Sequence, residues 1–170
     1  MRPSAFSYQP SAKIKKSSEL SGLLSRLRSK GKKIVFTNGC FDILHVGHVD
    51  YLSKARRLGD VLVVGLNSDS SVKKIKGKGR PINKEPDRAK VISSLCFVDY
   101  IISFNETTPE NLIKKVKPDI LVKGGDWKTE DIVGGSFVRS YGGKVKNIPF
   151  VKGYSTTSFI KKIVKSACQC

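Results

Sequence analysis

Short apolar runs alternate with stretches of helical period along most of the chain. Leu20, Leu23, Leu24 and Leu27 recur at spacings of 3, 1 and 3, which predicts an amphipathic helix over residues 17–30 that Gly31 ends. Apolar runs bounded by turn residues predict strands at 33–36, 60–66, 97–104, 120–122 and 144–151. The second run, DVLVVGL, is apolar throughout, as expected of a strand buried on both faces. Asp99 and Tyr100 interrupt the third and point to a less buried side or an interface. Helical patterns fall between the strands, at 50–58, at a short segment capped by Asn67-Ser68-Asp69, and at 87–95. They continue at 108–116, where Thr108 caps and Pro109 takes the first position, at 129–138, and at 158–165 with Ile160, Ile163 and Val164 facing inward. Strand–helix alternation repeated five times predicts an α/β fold, a doubly wound five-stranded parallel sheet ordered 3-2-1-4-5 with helices on both faces. Residues 1–16 lack any hydrophobic period and are expected to form a mobile basic leader ahead of one domain over 17–170.

The stretch KIVFTNGCFDILHVGHVDYL, residues 33–52, holds both histidines of the chain, His45 and His48. It reads as a strand, a turn over 37–47 at the strand's carboxyl end, and then a helix. Open α/β sheets bind ligands at such a turn. Gly39 lets the backbone approach a bound group, and Gly47 leaves open space between the imidazoles, which project from one side of the first helical turn. Two imidazole donors and the free N–H groups of a helix mouth suit a polyphosphate. The competing readings are a structural pair or a metal pair.

Three later stretches invite the same question. VKKIKGKGRPIN, residues 72–83, carries five cations in eight residues, interrupted by Gly77 and Gly79. It is either a solvated face or a flexible loop that brings Lys76, Lys78 and Arg80 to phosphate oxygens. Lys123-Gly124-Gly125-Asp126-Trp127 follows a strand, so its glycine pair either makes an ordinary turn or permits close approach to a ligand. Tyr154-Ser155-Thr156-Thr157 opens the last helix, where hydroxyls and free N–H groups either cap it or hold the β- and γ-phosphates.

Composition changes the picture in two respects. No apolar stretch approaches the roughly 20 residues of a membrane helix and no signal-peptide core is seen, so a cytoplasmic protein without membrane contact is expected. At 170 residues one domain is expected, without a second catalytic one. The four cysteines, at 40, 96, 168 and 170, suit neither a disulfide framework nor zinc. Cys40 either contacts ligand or fills space, and Cys168 and Cys170 are expected in solvent. The net charge of +18 raises the rival reading of a nucleic-acid-binding protein. The cations are scattered from Lys13 to Lys165 without a basic helix or aromatic RNA-binding signature, so no specific nucleic acid is expected.

The four motifs in order, TNGCFD with HVGH, KGKGRP, KGGD and YSTT, resemble the HxGH nucleotidyltransferase superfamily over residues 32–162. The resemblance is greatest to the heptose 1-phosphate adenylyltransferases (ADP-heptose synthases), with the glycerol-3-phosphate cytidylyltransferases next. It implies transfer of AMP from ATP to a sugar 1-phosphate, D-glycero-β-D-manno-heptose 1-phosphate, with release of pyrophosphate. His45, His48 and Lys76 are then catalytic. Thr37, Asn38, Gly39, Cys40, Phe41, both histidines, Lys123, Gly124, Asp126, Tyr154, Ser155, Thr156 and Thr157 meet the nucleotide. Asp42, Asn67, Asp69, Lys76, Lys78 and Arg80 meet the acceptor. Mg²⁺ is expected to be held through substrate phosphates and water, with no protein-built metal site, because no carboxylates cluster. With so short a leader, the sugar kinase often fused ahead of such domains is expected to be absent. Members of this fold often pair, which leaves a homodimer open.

Overall fold

The computed structural model describes residues 9–168 except 126, 150 and 152. Its strands are β1 (Ile14–Lys15), β2 (Ile34–Gly39), β3 (Val61–Asn67), β4 (Tyr100–Phe104), β5 (Ile120–Gly124) and β6 (Lys144–Ile148). They form one parallel sheet in the order β1-β4-β3-β2-β5-β6. The helices are α1 (Leu20–Ser29), α2 (Val46–Arg56), α3 (Asp69–Lys76), α4 (Glu85–Ser93), α5 (Glu110–Val116), α6 (Gly135–Ser140) and α7 (Thr156–Ala167).

The five expected strands keep their expected order, and a sixth joins them at the edge. Ile14 and Lys15 pair with Ile101 and Ile102, so part of the segment expected to be a mobile leader is strand. Two residues cannot display a period. What fixes them is the open edge of β4 and Lys13, whose ammonium donates to the Leu95 carbonyl at 2.9 Å. A strand this short also blunts an edge that would otherwise invite pairing with another chain.

Packing follows from the two-residue period of the strands. Ile34, Phe36, Val61, Val63, Ile102 and Leu121 meet α1 and α5 on one face. Val35, Leu62, Val64, Ile101 and Val122 meet α2 and α4 on the other. Every residue of β3 is buried, as its apolar run requires, whereas edge strand β6 exposes Lys144 and Lys146.

Aspartates secure the amino-terminal edge of the sheet. Asp60, Asp99 and Asp119 immediately precede β3, β4 and β5, and each carboxylate accepts an N–H from the start of a neighbouring strand. Lys33 N–H donates to Asp60 at 2.8 Å, Leu62 N–H to Asp99 at 2.7 Å, and Ile34 N–H to Asp119 at 2.7 Å. Asp99 also pairs with Arg56 Nε at 2.8 Å. Its place in an otherwise apolar run thus marks a strand start, and β4 begins at Tyr100 instead of 97.

Several helices differ from expectation at their ends. α2 starts at Val46 instead of residue 50, and α3 runs through Lys76, taking in half of the stretch read as a loop. Pro109, without a side-chain bond, occupies the cap of α5 in place of Thr108. The helix expected over 129–138 is broken by Gly134 in the left-handed region, so α6 begins at Gly135. In α7 the face expected to turn inward is open: Ile163 is 60% and Val164 56% exposed.

Removing the Asp99 carboxylate strands the Leu62 N–H and breaks the link to Arg56. Asp99→Ala is expected to lower stability by about 1–3 kcal/mol, read as a lower urea midpoint with an unchanged denaturant slope.

Candidate active site

β2 lies between β3 and β5, and the chain continues to opposite sides of it, which makes its carboxyl end the switch point of the sheet. The turn there delivers α2. His45 is the N-cap of that helix, with extended backbone (φ −143°), and His48 lies three residues on. Their rings stack, centroids 3.8 Å apart and planes 22° apart. The structure therefore corrects the expectation of open space between them. A Cβ on residue 47 would lie 3.1 Å from His45 Cε1 and Nδ1 and 3.3 Å from Tyr154 Cβ. A larger residue at Gly47 would have to displace the His45 imidazole and the Tyr154 side chain, which close on its Cα.

Gly39 has a similar explanation. A Cβ there would meet Phe41 Cε2 at 2.8 Å, so the close approach is made by the protein's own ring. Phe41 is held at φ +45°, a conformation costly for a bulky residue, and its edge meets His48 with centroids 5.1 Å apart. On the other side of the pair, the ring of Phe159 in α7 lies parallel to His45 at 5.8 Å. α7 and α2 thus open side by side at the sheet's carboxyl edge.

Burial, and then the neighbouring His45, push His48 down to about 4, against a smaller opposing effect of the Ile43 backbone; burial also lowers His45. Both imidazoles are neutral near pH 7. The Nδ1 atom of each is buried and without a hydrogen-bond partner. Leaving two polar atoms unsatisfied in one place is costly, and such costs concentrate where a ligand relieves them.

The remaining residues predicted from sequence divide into two groups. Lys76 ends α3 and Lys78 follows in the exposed loop, close to the HVGH turn through Asp42 and Asn83. Lys123, near the end of β5, is half-buried. Burial holds its ammonium below the ordinary lysine range, Cys40 opposes that shift and Lys76 adds to it. Asn38 and Gly39 end β2, Gly124 ends β5, and Tyr154, Thr156 and Thr157 lie at the start of α7. These residues lie at the carboxyl edge of the sheet, around the ends of β2 and β5, where the switch point makes a crevice, and at the start of α7.

In the second group the side chains are taken up by the protein itself. Thr37 Oγ1 is hydrogen-bonded to Tyr51 Oη, 2.5 Å away. Asn67 donates to Ser71 Oγ at 2.9 Å. Ser155 accepts from Ser158 N–H at 3.0 Å, the ordinary capping role. Asp42, 3% exposed, accepts from Ile82 N–H and Asn83 N–H and lies 2.8 Å from Arg80 Nε. Asp69 pairs with Arg88 Nη2 at 2.8 Å. Cys40 is half-buried, with its thiol pushed up by burial, and its carbonyl accepts from Arg88. Asp126 and Cys170 lie outside the described residues.

Two residues beside or beneath the crevice escaped the sequence reading. Asn147 stands opposite Lys123 in the β5–β6 register, donates to the Trp127 carbonyl at 2.9 Å, and has a buried Oδ1 without a partner. Arg88 is fully buried beneath the turn. A lone Asn in a β-run and an Arg in an amphipathic helix carry no local signal. Among the described residues no three His, Cys, Asp or Glu side chains gather to hold a metal ion, and the Asp42 oxygens already meet the N–H groups of Ile82 and Asn83. No helix among those residues is long and apolar enough to cross a membrane.

A crevice at the switch point of a parallel sheet, with two helix mouths, paired neutral imidazoles and flanking lysines, suits a phosphate-bearing ligand. The comparisons agree. The chain belongs to the cytidylyltransferase-like family, which it matches over residues 36–162. It is 53% identical over 155 residues to the bifunctional protein HldE of Geobacter metallireducens, covering 91% of this chain and 32% of that protein. With the bifunctional protein HldE of Campylobacter concisus it shares 59% over 152 residues, covering 89% and 31%. The chain thus spans about a third of the length of these relatives. The lipopolysaccharide core biosynthesis protein of Thermoplasma volcanium superposes with a TM-score of 0.60 at 36% identity, covering 74% of this chain and all of that one. Pantothenate synthetase of Thermus thermophilus, at 17% identity and TM-score 0.59 over 82% of this chain and 62% of its own, shares the fold alone.

The depressed imidazoles make stability depend on pH. As pH falls below the ordinary histidine value of about 6.5, the unfolded chain protonates first, so stability is lost until folded His48 itself protonates at about 4. His48→Asn removes that contribution. The stability difference between wild type and variant, from urea titrations, is expected to shift against wild type between pH 7 and pH 4.

Proposed function

We propose that the protein transfers AMP from ATP to the phosphate of a sugar 1-phosphate, D-glycero-β-D-manno-heptose 1-phosphate, giving ADP-heptose and pyrophosphate. The observation that carries this reading is the pair of neutral, stacked imidazoles with unpartnered nitrogens at the mouth of α2. The sequence resemblance to heptose 1-phosphate adenylyltransferases suggests the acceptor and the base, and the identity with HldE proteins supports that reading. In this reading the enzyme works in the cytoplasm, where ATP is at hand.

A phosphate monoester is largely dianionic near neutrality, so its oxygen attacks without a strong base. The acceptor oxygen forms a bond to the α-phosphorus as the bond from that phosphorus to the bridging oxygen of the β-phosphate breaks. The electron pair leaves with pyrophosphate. Charge grows on the α-phosphate oxygens and on the leaving group, where His45, His48 and Lys76 stabilise it. Asn38, Lys123 and Gly124 line the nucleotide side, and the N–H groups at Thr156 and Thr157 receive the β- and γ-phosphates. Mg²⁺ arrives with ATP as part of the substrate, held by triphosphate oxygens and water.

Asp42, Asn67 and Asp69 act in this reading through the backbone they fix, while Lys78 and Arg80 approach the acceptor. The basic surface gives weak, salt-labile attraction to nucleic acid and no specific complex. The arrangement is compatible with a homodimer.

His45→Asn and His48→Asn are each expected to lower kcat by about 10²–10³, the scale of one lost transition-state donor, with nucleotide binding retained in titration calorimetry. Wild-type turnover would remove the histidines from the mechanism. Lys76→Ala and Lys78→Ala are expected to slow turnover more than Lys165→Ala. Across nucleoside triphosphates and acceptors, pyrophosphate release is expected to favour ATP with heptose 1-phosphate over CTP with glycerol 3-phosphate by at least about 10² in kcat/KM, roughly 2.7 kcal/mol. The reverse order would replace the acceptor and base but keep the reaction class.

A further inference from the structure

We propose that Arg88 is a positioning residue for nucleotide transfer, holding three loops at the carboxyl edge of the sheet in one arrangement; this rests on the reading of the site given above. Arg88 lies on α4, outside the crevice, and is 1% exposed. Its Nε donates to the Asn83 carbonyl at 3.0 Å, and its Nη1 to the carbonyls of Cys40 at 2.6 Å and Asn67 at 2.9 Å. Its Nη2 pairs with Asp69 at 2.8 Å. A planar guanidinium presents its donors in a fixed fork, so one side chain sets the spacing of all its partners.

Those partners belong to three separate segments. Cys40 is in the turn that leads to His45, Asn67 ends β3 just before the helix that delivers Lys76, and Asn83 closes the loop that carries Lys78 and Arg80. That loop has positive φ at Gly77 (+89°) and Gly79 (+81°), turns that glycine makes without the strain of a side chain. Its far end is fixed twice, by Arg88 on the Asn83 carbonyl and by the Asp42 carboxylate on the N–H groups of Ile82 and Asn83. The cationic loop and the histidine turn therefore share one buried anchor. A charge this deep persists only with partners for it, and backbone carbonyls at three loop ends supply a geometry that no lysine reproduces.

The test compares wild type, Arg88→Lys and Asp69→Asn in pyrophosphate release, cooperative thermal unfolding and amide exchange at Ile82 and Asn83. Arg88→Lys keeps the charge and loses the fork. It is expected to unfold cooperatively, lose about 10²-fold in kcat while KM for ATP moves less than about threefold, and exchange faster at residues 82 and 83. A folded Arg88→Lys with wild-type kcat, or with a raised KM alone, overturns the proposal. If that variant does not fold, Asp69→Asn decides, because Asp69 is half-exposed and its loss leaves the carbonyl bonds in place. A lower kcat with unchanged KM for the sugar phosphate supports positioning, and unchanged kcat overturns it. If wild type transfers no nucleotide, the proposed function falls, and exchange alone then decides: unchanged protection at 82 and 83 in a folded Arg88 variant overturns the anchoring.

Discussion

The hydrogen bonding of β2 on both of its edges is the constraint from which the site follows. Its pairing with β3 in full register and with β5 at Val35 and Phe36 leaves this strand no freedom along its length. The turn at its end must therefore be made in a few residues, and the rings that turn carries have to pack against backbone. Gly39 gives way to Phe41, and Gly47 gives way to His45. A left-handed phenylalanine is the residual strain of that compression, and it meets the edge of His48. The imidazoles are held by contact on several sides before any ligand arrives, which is the condition for preorganised charge stabilisation.

Their neutrality follows from the same packing. Two rings 3.8 Å apart cannot both carry a proton cheaply, and burial already disfavours the first. A neutral imidazole offers one N–H to an anion and asks for no counter-charge when the crevice is empty. Permanent positive charge is supplied instead by Lys76 and Lys78, which sit in solvent, and by Lys123, which is half-buried. The division spares the interior an unpaired charge and keeps the cations within reach of phosphate.

Much of this was legible in the chain. Apolar runs such as DVLVVGL reveal buried parallel strands, and two histidines around one glycine at a strand's end mark the crevice. What stayed hidden depends on partners distant in sequence. The β1 strand is too short for a period and exists because β4 has an open edge. His45 caps α2 without being a usual capping residue, so the helix start was read four residues late. Asp42 looked like a ligand because nothing local shows that its carboxylate faces the backbone of residues 82 and 83, some 40 positions away. Arg88 reads as a helix surface residue until the loop carbonyls around it are seen. The open face of α7 shows the reverse case, an amphipathic pattern that the described residues leave uncovered.

Asp60, Asp99 and Asp119 line the edge of the sheet opposite the crevice, while imidazoles, lysines and two helix mouths gather at the other. The two ends of the sheet thus do different work, one holding strand starts together and the other presenting imidazoles and lysines. An approaching polyanion is drawn to this basic surface at long range, and added salt weakens that attraction.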